Sequence, residues 1–131
     1  MKIAIDTNIL VRALVYDDPE QAAAAEKLLT SNEAVCIGNS NLCELAWVLS
    51  RRYKFNDEQI GAAFRALLNS GNVEMDRAAV EFGLSVLAEG GDFGDGVIAH
   101  EGIAMGGETF VSFDKKAVGV LTLHGVRTQL L

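Results

Sequence analysis

Short β-prone runs alternate along this chain with segments of helical periodicity, and that alternation limits the fold more than any other feature. Lys2 to Ile5, Ala34 to Ile37, Val73 to Met75 and Thr109 to Phe113 are brief strand candidates, with Val126 to Gln129 as a terminal one. Helical patterns fill the gaps. Ile9 to Val15 is one, and Pro19, the only proline, opens a second at a first-turn position that runs to about Thr30. Gly38 to Asn41 reads as a turn with Ser40 as cap, ahead of a helix from Leu42 to Tyr53 whose Leu42, Leu45, Ala46 and Leu49 share a face. Asn56 and Gln59 resemble a capping box for a helix reaching Ser70, where Gly71 stops it. Arg77 to Glu89 ends at Gly90-Gly91, Asp92 caps a run to about Met105, and Lys115 to Leu121 is a short helix. Strands joined through helices pair in parallel and are covered on both faces. The expected fold is α/β: a three-layer sandwich with a short, mostly parallel sheet flanked by helices.

At 131 residues the chain suits one domain, 1–131, able to build a core without disulfides or a structural metal. Asp6 and Arg12 interrupt the first apolar run well short of the ~20 residues that span a bilayer, and no leader pattern is present, so a cytoplasmic protein without a membrane role is expected. Cys36 and Cys43 have no metal-site spacing and are expected to stay reduced. Eleven Lys+Arg against eighteen Asp+Glu, a net charge of −7, argue against gripping nucleic acid by bulk positive charge.

The acids fall in particular places. In open parallel sheets, ligands bind beyond the carboxyl ends of the strands. Asp6 follows the first strand and Asp114 the strand Thr109 to Phe113; Glu44 is expected in the first turn of the helix after the second strand, and Asp92 and Asp95 in the first turn after Gly91. Each alone has an ordinary explanation as a helix cap or a partner of the helix dipole. Their coincidence at several strand-to-helix junctions does not, because such a cluster repels itself until a cation relieves it. All-oxygen ligands select Mg²⁺ or Mn²⁺ over zinc. Ser112, two residues before Asp114, is placed to orient a carboxylate, and Gly94 and Gly96 leave room for a bulky anion. Arg12, four residues after Asn8, faces the same cleft. His100 and His124 have no nucleophile partner and receive no role; Trp47, Phe64, Phe82 and Phe110 read as core or interface.

Four motifs, Ile3-Ala-Ile-Asp6-Thr-Asn8, Ser40-x-x-x-Glu44, Asp92-Phe-Gly-Asp95-Gly-Val-Ile-Ala99 and Val111-Ser-Phe-Asp114-Lys-Lys, resemble in order and spacing those of a PIN domain. Size and helical second half resemble the VapC-type toxins of toxin–antitoxin pairs. The resemblance implies a PIN-like sandwich and a Mg²⁺- or Mn²⁺-dependent endoribonuclease with Asp6, Glu44, Asp95 and Asp114 as catalytic, metal-holding carboxylates. Asn8, Ser112 and Asp92 match supporting positions. It also implies an RNA substrate, a homodimer and a small antitoxin partner. Setting five site carboxylates aside leaves thirteen acids against eleven bases, a nearly neutral remainder. Arg51, Arg52, Lys54, Lys115 and Lys116 are then candidate phosphate contacts. Two alternatives stay open: a haloacid-dehalogenase-like phosphatase, which needs an acid where Asn8 stands, and a PIN-like domain that binds RNA or protein without cutting.

Overall fold

Lys2–Ala4 forms β1, and Asp6 immediately caps α1, Thr7–Leu14, by accepting the Asn8 N–H on Oδ1 at 3.1 Å. The computed structural model describes residues 1–131, which divide into two units, Met1–Asp76 and Arg77–Leu131. In the first unit α2 (Pro19–Ser31) has proline at its start and Asp18 as cap, with Asp18 Oδ1 accepting the Gln21 N–H. β2 (Ala34–Cys36), α3 (Asn39–Tyr53), α4 (Asp57–Leu68) and β3 (Val73–Glu74) follow. The expected capping box at α4 is present: Asn56 Oδ1 accepts from the Gln59 N–H at 2.8 Å, and the Asn56 N–H donates to Gln59 Oε1 at 2.9 Å.

β1, β2 and β3 form a parallel sheet in that order, with Ile3 opposite Val35 and Val35 opposite Val73. Helices flank it, so its central strand is apolar throughout: Ala34, Val35 and nearby Ile37 are buried. Leu10 and Val11 of α1, Leu42, Leu45 and Leu49 of α3, and Ile60, Phe64 and Leu68 of α4 are buried too. Each large aliphatic side chain buried in this way contributes about 1.5–3 kcal/mol.

The second unit contains α5 (Arg77–Ala88), α6 (Phe93–Ala104), β4 (Phe110–Ser112), α7 (Lys115–Leu123) and β5 (Thr128–Leu130). β4 and β5 pair in parallel, Val111 opposite Gln129. Val86, Ala99, Val120 and Leu121 form a buried cluster against which Phe82, Phe110 and Val126 pack. No helix in the chain is long and apolar enough to cross a membrane.

The α/β class holds, while several expectations are corrected. The strands form two parallel sheets, β1-β2-β3 and β4-β5, rather than one. They are only two or three residues long, and the caps at Asp6, Gly38 and Asp114 redirect the backbone soon after β1, β2 and β4. α3 starts at Asn39 with Gly38 as its cap; Ser40 lies inside the helix. Of the aromatic residues read as core or interface, Phe64 is buried in the core and Trp47 is 58% exposed, which leaves the interface reading for it. Gly96 is buried, and a methyl group there would meet the Gly83 Cα at 2.9 Å, so it is small for helix packing rather than for an incoming anion.

Candidate active site

Asn41 organises the end of the first sheet. Its amide nitrogen donates to the Ile5 carbonyl at 3.3 Å and to the buried Thr7 hydroxyl at 3.1 Å, and its oxygen accepts the Gly38 N–H at 3.1 Å. One side chain thereby ties the start of α3 to both sides of Asp6. Glu44 is three residues further along α3, on the same face. This puts Glu44 in the second helical turn, since α3 begins earlier than its apolar pattern indicates.

Asp6, Asn8 and Glu44 line one cavity of about 240 Å³, shared with Arg12, Arg52 and Tyr53. The cap role of Asp6 and a ligand role are compatible, because the cap engages Oδ1 and leaves Oδ2 outside it. Arg12 Nη1 donates to Asp17 Oδ1 at 2.8 Å, an interaction that holds the guanidinium pKa above its ordinary value. Two acids and two guanidinium groups thus face a common space.

In the second unit, Asp92 caps α6 by accepting the Asp95 N–H on Oδ1 at 2.9 Å, so it stands just before the helix rather than inside its first turn. Asp114 caps α7, with Oδ1 accepting the Ala117 N–H at 3.1 Å. Ser112 Oγ accepts the Asp114 backbone N–H at 2.9 Å. Its partner is the main chain of Asp114 and not the carboxylate expected from the sequence. Burial first, and then the negative charges of Asp92 and Asp114, push the Asp95 carboxyl above the usual carboxylate range. Asp95 thus carries both a burial penalty and the repulsion of two neighbouring acids against its ionised form.

An all-oxygen set of carboxylates, an amide and a hydroxyl suits a hard divalent cation. No three His, Cys, Asp or Glu side chains are drawn together as a finished metal cluster. The donor chemistry fits the ion; ligand closure is not formed.

Several groups at the site have no local sequence signature. Asn41, Thr7 and the Asp17 link of Arg12 had no spacing signal, because each depends on contacts distant in sequence. Arg52 lines the cavity, whereas Arg51 does not. His100 and His124 lie 5.9 and 6.1 Å from the Phe82 ring, with Nδ1 and Nε2 respectively enclosed and unpartnered.

The PIN domain family model matches residues 3–120 of the chain. No curated protein matches the chain.

Proposed function

The chain belongs to the PIN-domain family, in general a nuclease fold, and we propose that it is a metal-dependent endoribonuclease acting as the toxin of a VapC-type toxin–antitoxin pair. In this reading residues 1–131 act as a single domain. Asp6, Glu44, Asp95 and Asp114 are its catalytic carboxylates, supported by Asn8, Ser112 and Asp92. The observation that carries the proposal is the cavity shared by Asp6, Asn8 and Glu44, which supplies oxygen donors where the family pattern has acids. The negative charges of Asp92 and Asp114 beside the partly buried Asp95 are in keeping with it. The haloacid-dehalogenase-like alternative falls with the family assignment, and no missing carboxylate favours a domain that binds without cutting.

Mg²⁺ or Mn²⁺, when bound, supplies activation of the attacking water and neutralises charge growing on the scissile phosphate. The protein's part is to hold its carboxylates still. Asp6 and Asp114 are fixed through helix caps, and Ser112 fixes the backbone at Asp114. Because water attacks, the 2′-hydroxyl takes no part, and the products carry a 5′-phosphate and a 3′-hydroxyl.

Incubation with total cellular RNA tests this. EDTA should abolish cleavage, Mn²⁺ should restore it, and the fragments should ligate through 5′-phosphates. Cyclic-phosphate ends that persist in EDTA overturn the proposal. We further propose a cytoplasmic homodimer, covered at its site by a small antitoxin, with exposed Trp47 of α3 in the dimer contact. Light scattering that returns only the 14.0 kDa chain rejects the dimer.

A further inference from the structure

Arg12, which lines the Asp6 cavity, is held in an ion pair. Its Nη1 donates to Asp17 Oδ1 at 2.8 Å, while the Tyr53 hydroxyl donates to Asp17 Oδ2 at 3.4 Å. Asp17, between α1 and α2, is thus gripped from the last turn of α1 and from the end of α3. The pair is only partly covered, with side-chain exposures of 27% for Arg12 and 47% for Asp17. Arg12 Nε is enclosed, and no protein atom accepts its hydrogen bond. A guanidinium has five N–H donors, so with Nε–H enclosed and one Nη1 hydrogen on Asp17, Nη hydrogens remain to meet a ligand.

The position is as telling as the restraint. Arg12 lines the cavity of Asp6 and Glu44, and it also lines an adjoining, largely apolar groove of about 350 Å³ with Ile9, Gln21, Ala25 and Leu28. Only Asn8 and Arg12 belong to both depressions. Arg12 therefore stands on the border between the carboxylates and the groove.

We propose that Arg12, positioned by Asp17 and Tyr53, anchors the RNA substrate by binding the backbone phosphate next to the scissile linkage. The inference rests on the ribonuclease reading and deepens it. A phosphate approaching Asp6 and Glu44 meets like charge, and a fixed cation at their border offsets that repulsion without neutralising the carboxylates. Arginine suits the task because its planar fork matches phosphate oxygens and is already ordered before the ligand arrives.

Salt dependence separates this role from a purely structural one. Anisotropy with a labelled single-stranded RNA oligonucleotide, in EDTA and again with Ca²⁺, yields the slope of log affinity against log salt. Arg12→Gln should reduce the slope by about 0.7 and weaken binding about fivefold near 0.1 M salt, the share of one phosphate contact. Arg12→Lys should keep the slope. Asp17→Asn breaks the same ion pair but leaves the cation, so it should keep the slope too. A wild-type slope in Arg12→Gln overturns the proposal and leaves the guanidinium for a partner's carboxylate. Equal losses in Asp17→Asn and Arg12→Gln overturn it in favour of a structural tie. If wild type binds no RNA, the anchor and the ribonuclease reading fall together. Binding that follows these expectations with no Mn²⁺-dependent cleavage sinks the ribonuclease reading alone.

Discussion

Burial and neighbouring negative charge both raise the Asp95 carboxyl pKa, and together they fix the sign of its effect on stability. Burial and the charges of Asp92 and Asp114 raise its folded pKa, so between the ordinary aspartate range and that raised value the folded state holds more proton than the unfolded state. Stability therefore falls as pH climbs through this window, and above it the ionised carboxylate weighs against the fold. Asp95→Asn should melt at a higher temperature than wild type at pH 7, with the advantage shrinking as pH drops through the window. Mn²⁺ should raise the melting temperature of wild type more than that of the variant. Melting curves at several pH values check both, and an unchanged midpoint in Asp95→Asn at pH 7 contradicts the account. The acids themselves were legible in the sequence, because caps and strand ends have local signatures. Their hydrogen bonds were less so. Asp6, Asp92 and Asp114 each act as caps through Oδ1, and spacing alone does not reveal that Oδ2 lies outside the cap. Nor does it show Ser112 bonding to backbone, or Asn41 joining Ile5, Thr7 and Gly38 around Asp6.

Helices declared themselves better than strands did. Caps and periodicity located α2 and α4 closely, whereas β4 is shorter than Thr109 to Phe113 and β5 is displaced from Val126–Gln129 to Thr128–Leu130. A strand ends where its partner ends, and that partner lies elsewhere in the sequence. α3 was expected too late because its first turn, Asn39 to Asn41, is polar and looks like loop; the Asn41–Gly38 bond makes it helix. The glycines of α5 and α6 show the same limit. A methyl group at Gly83 would meet the Phe93 ring at 2.8 Å, and one at Gly96 would meet the Gly83 Cα at 2.9 Å and Val86 at 3.1 Å. Gly102, on the same helix as Gly96, has open space around it. Gly96→Ala should therefore destabilise the protein by about 1–3 kcal/mol, since the obstructing atom is backbone. Gly102→Ala should stabilise by up to about 1 kcal/mol through helix propensity. Urea melts of the two variants test the contrast, and equal midpoints reject close packing as the reason for glycine at 96.

At the scale of the molecule, a chain of net charge −7 that acts on an anionic polymer has to confine its acidity, and the proposed site accounts for five of its eighteen acids. The growth phenotype tests that idea, provided folding and chemistry are kept apart. Asn and Asp are equally good helix caps, so Asp6→Asn should preserve the start of α1 while removing a cation-binding charge. Asp18→Asn makes the same charge change at another cap, the one that accepts the Gln21 N–H, and Asp18 does not line the Asp6 cavity. Overproduced wild type should slow growth, Asp6→Asn should relieve it, and Asp18→Asn should leave it intact at matched protein levels. Relief by both variants would point to lost stability rather than lost chemistry. Equal toxicity of Asp6→Asn and wild type would detach the phenotype from the nuclease. Relief by Asp6→Asn alone, with an unchanged circular dichroism melt, is the result the acidic cavity requires.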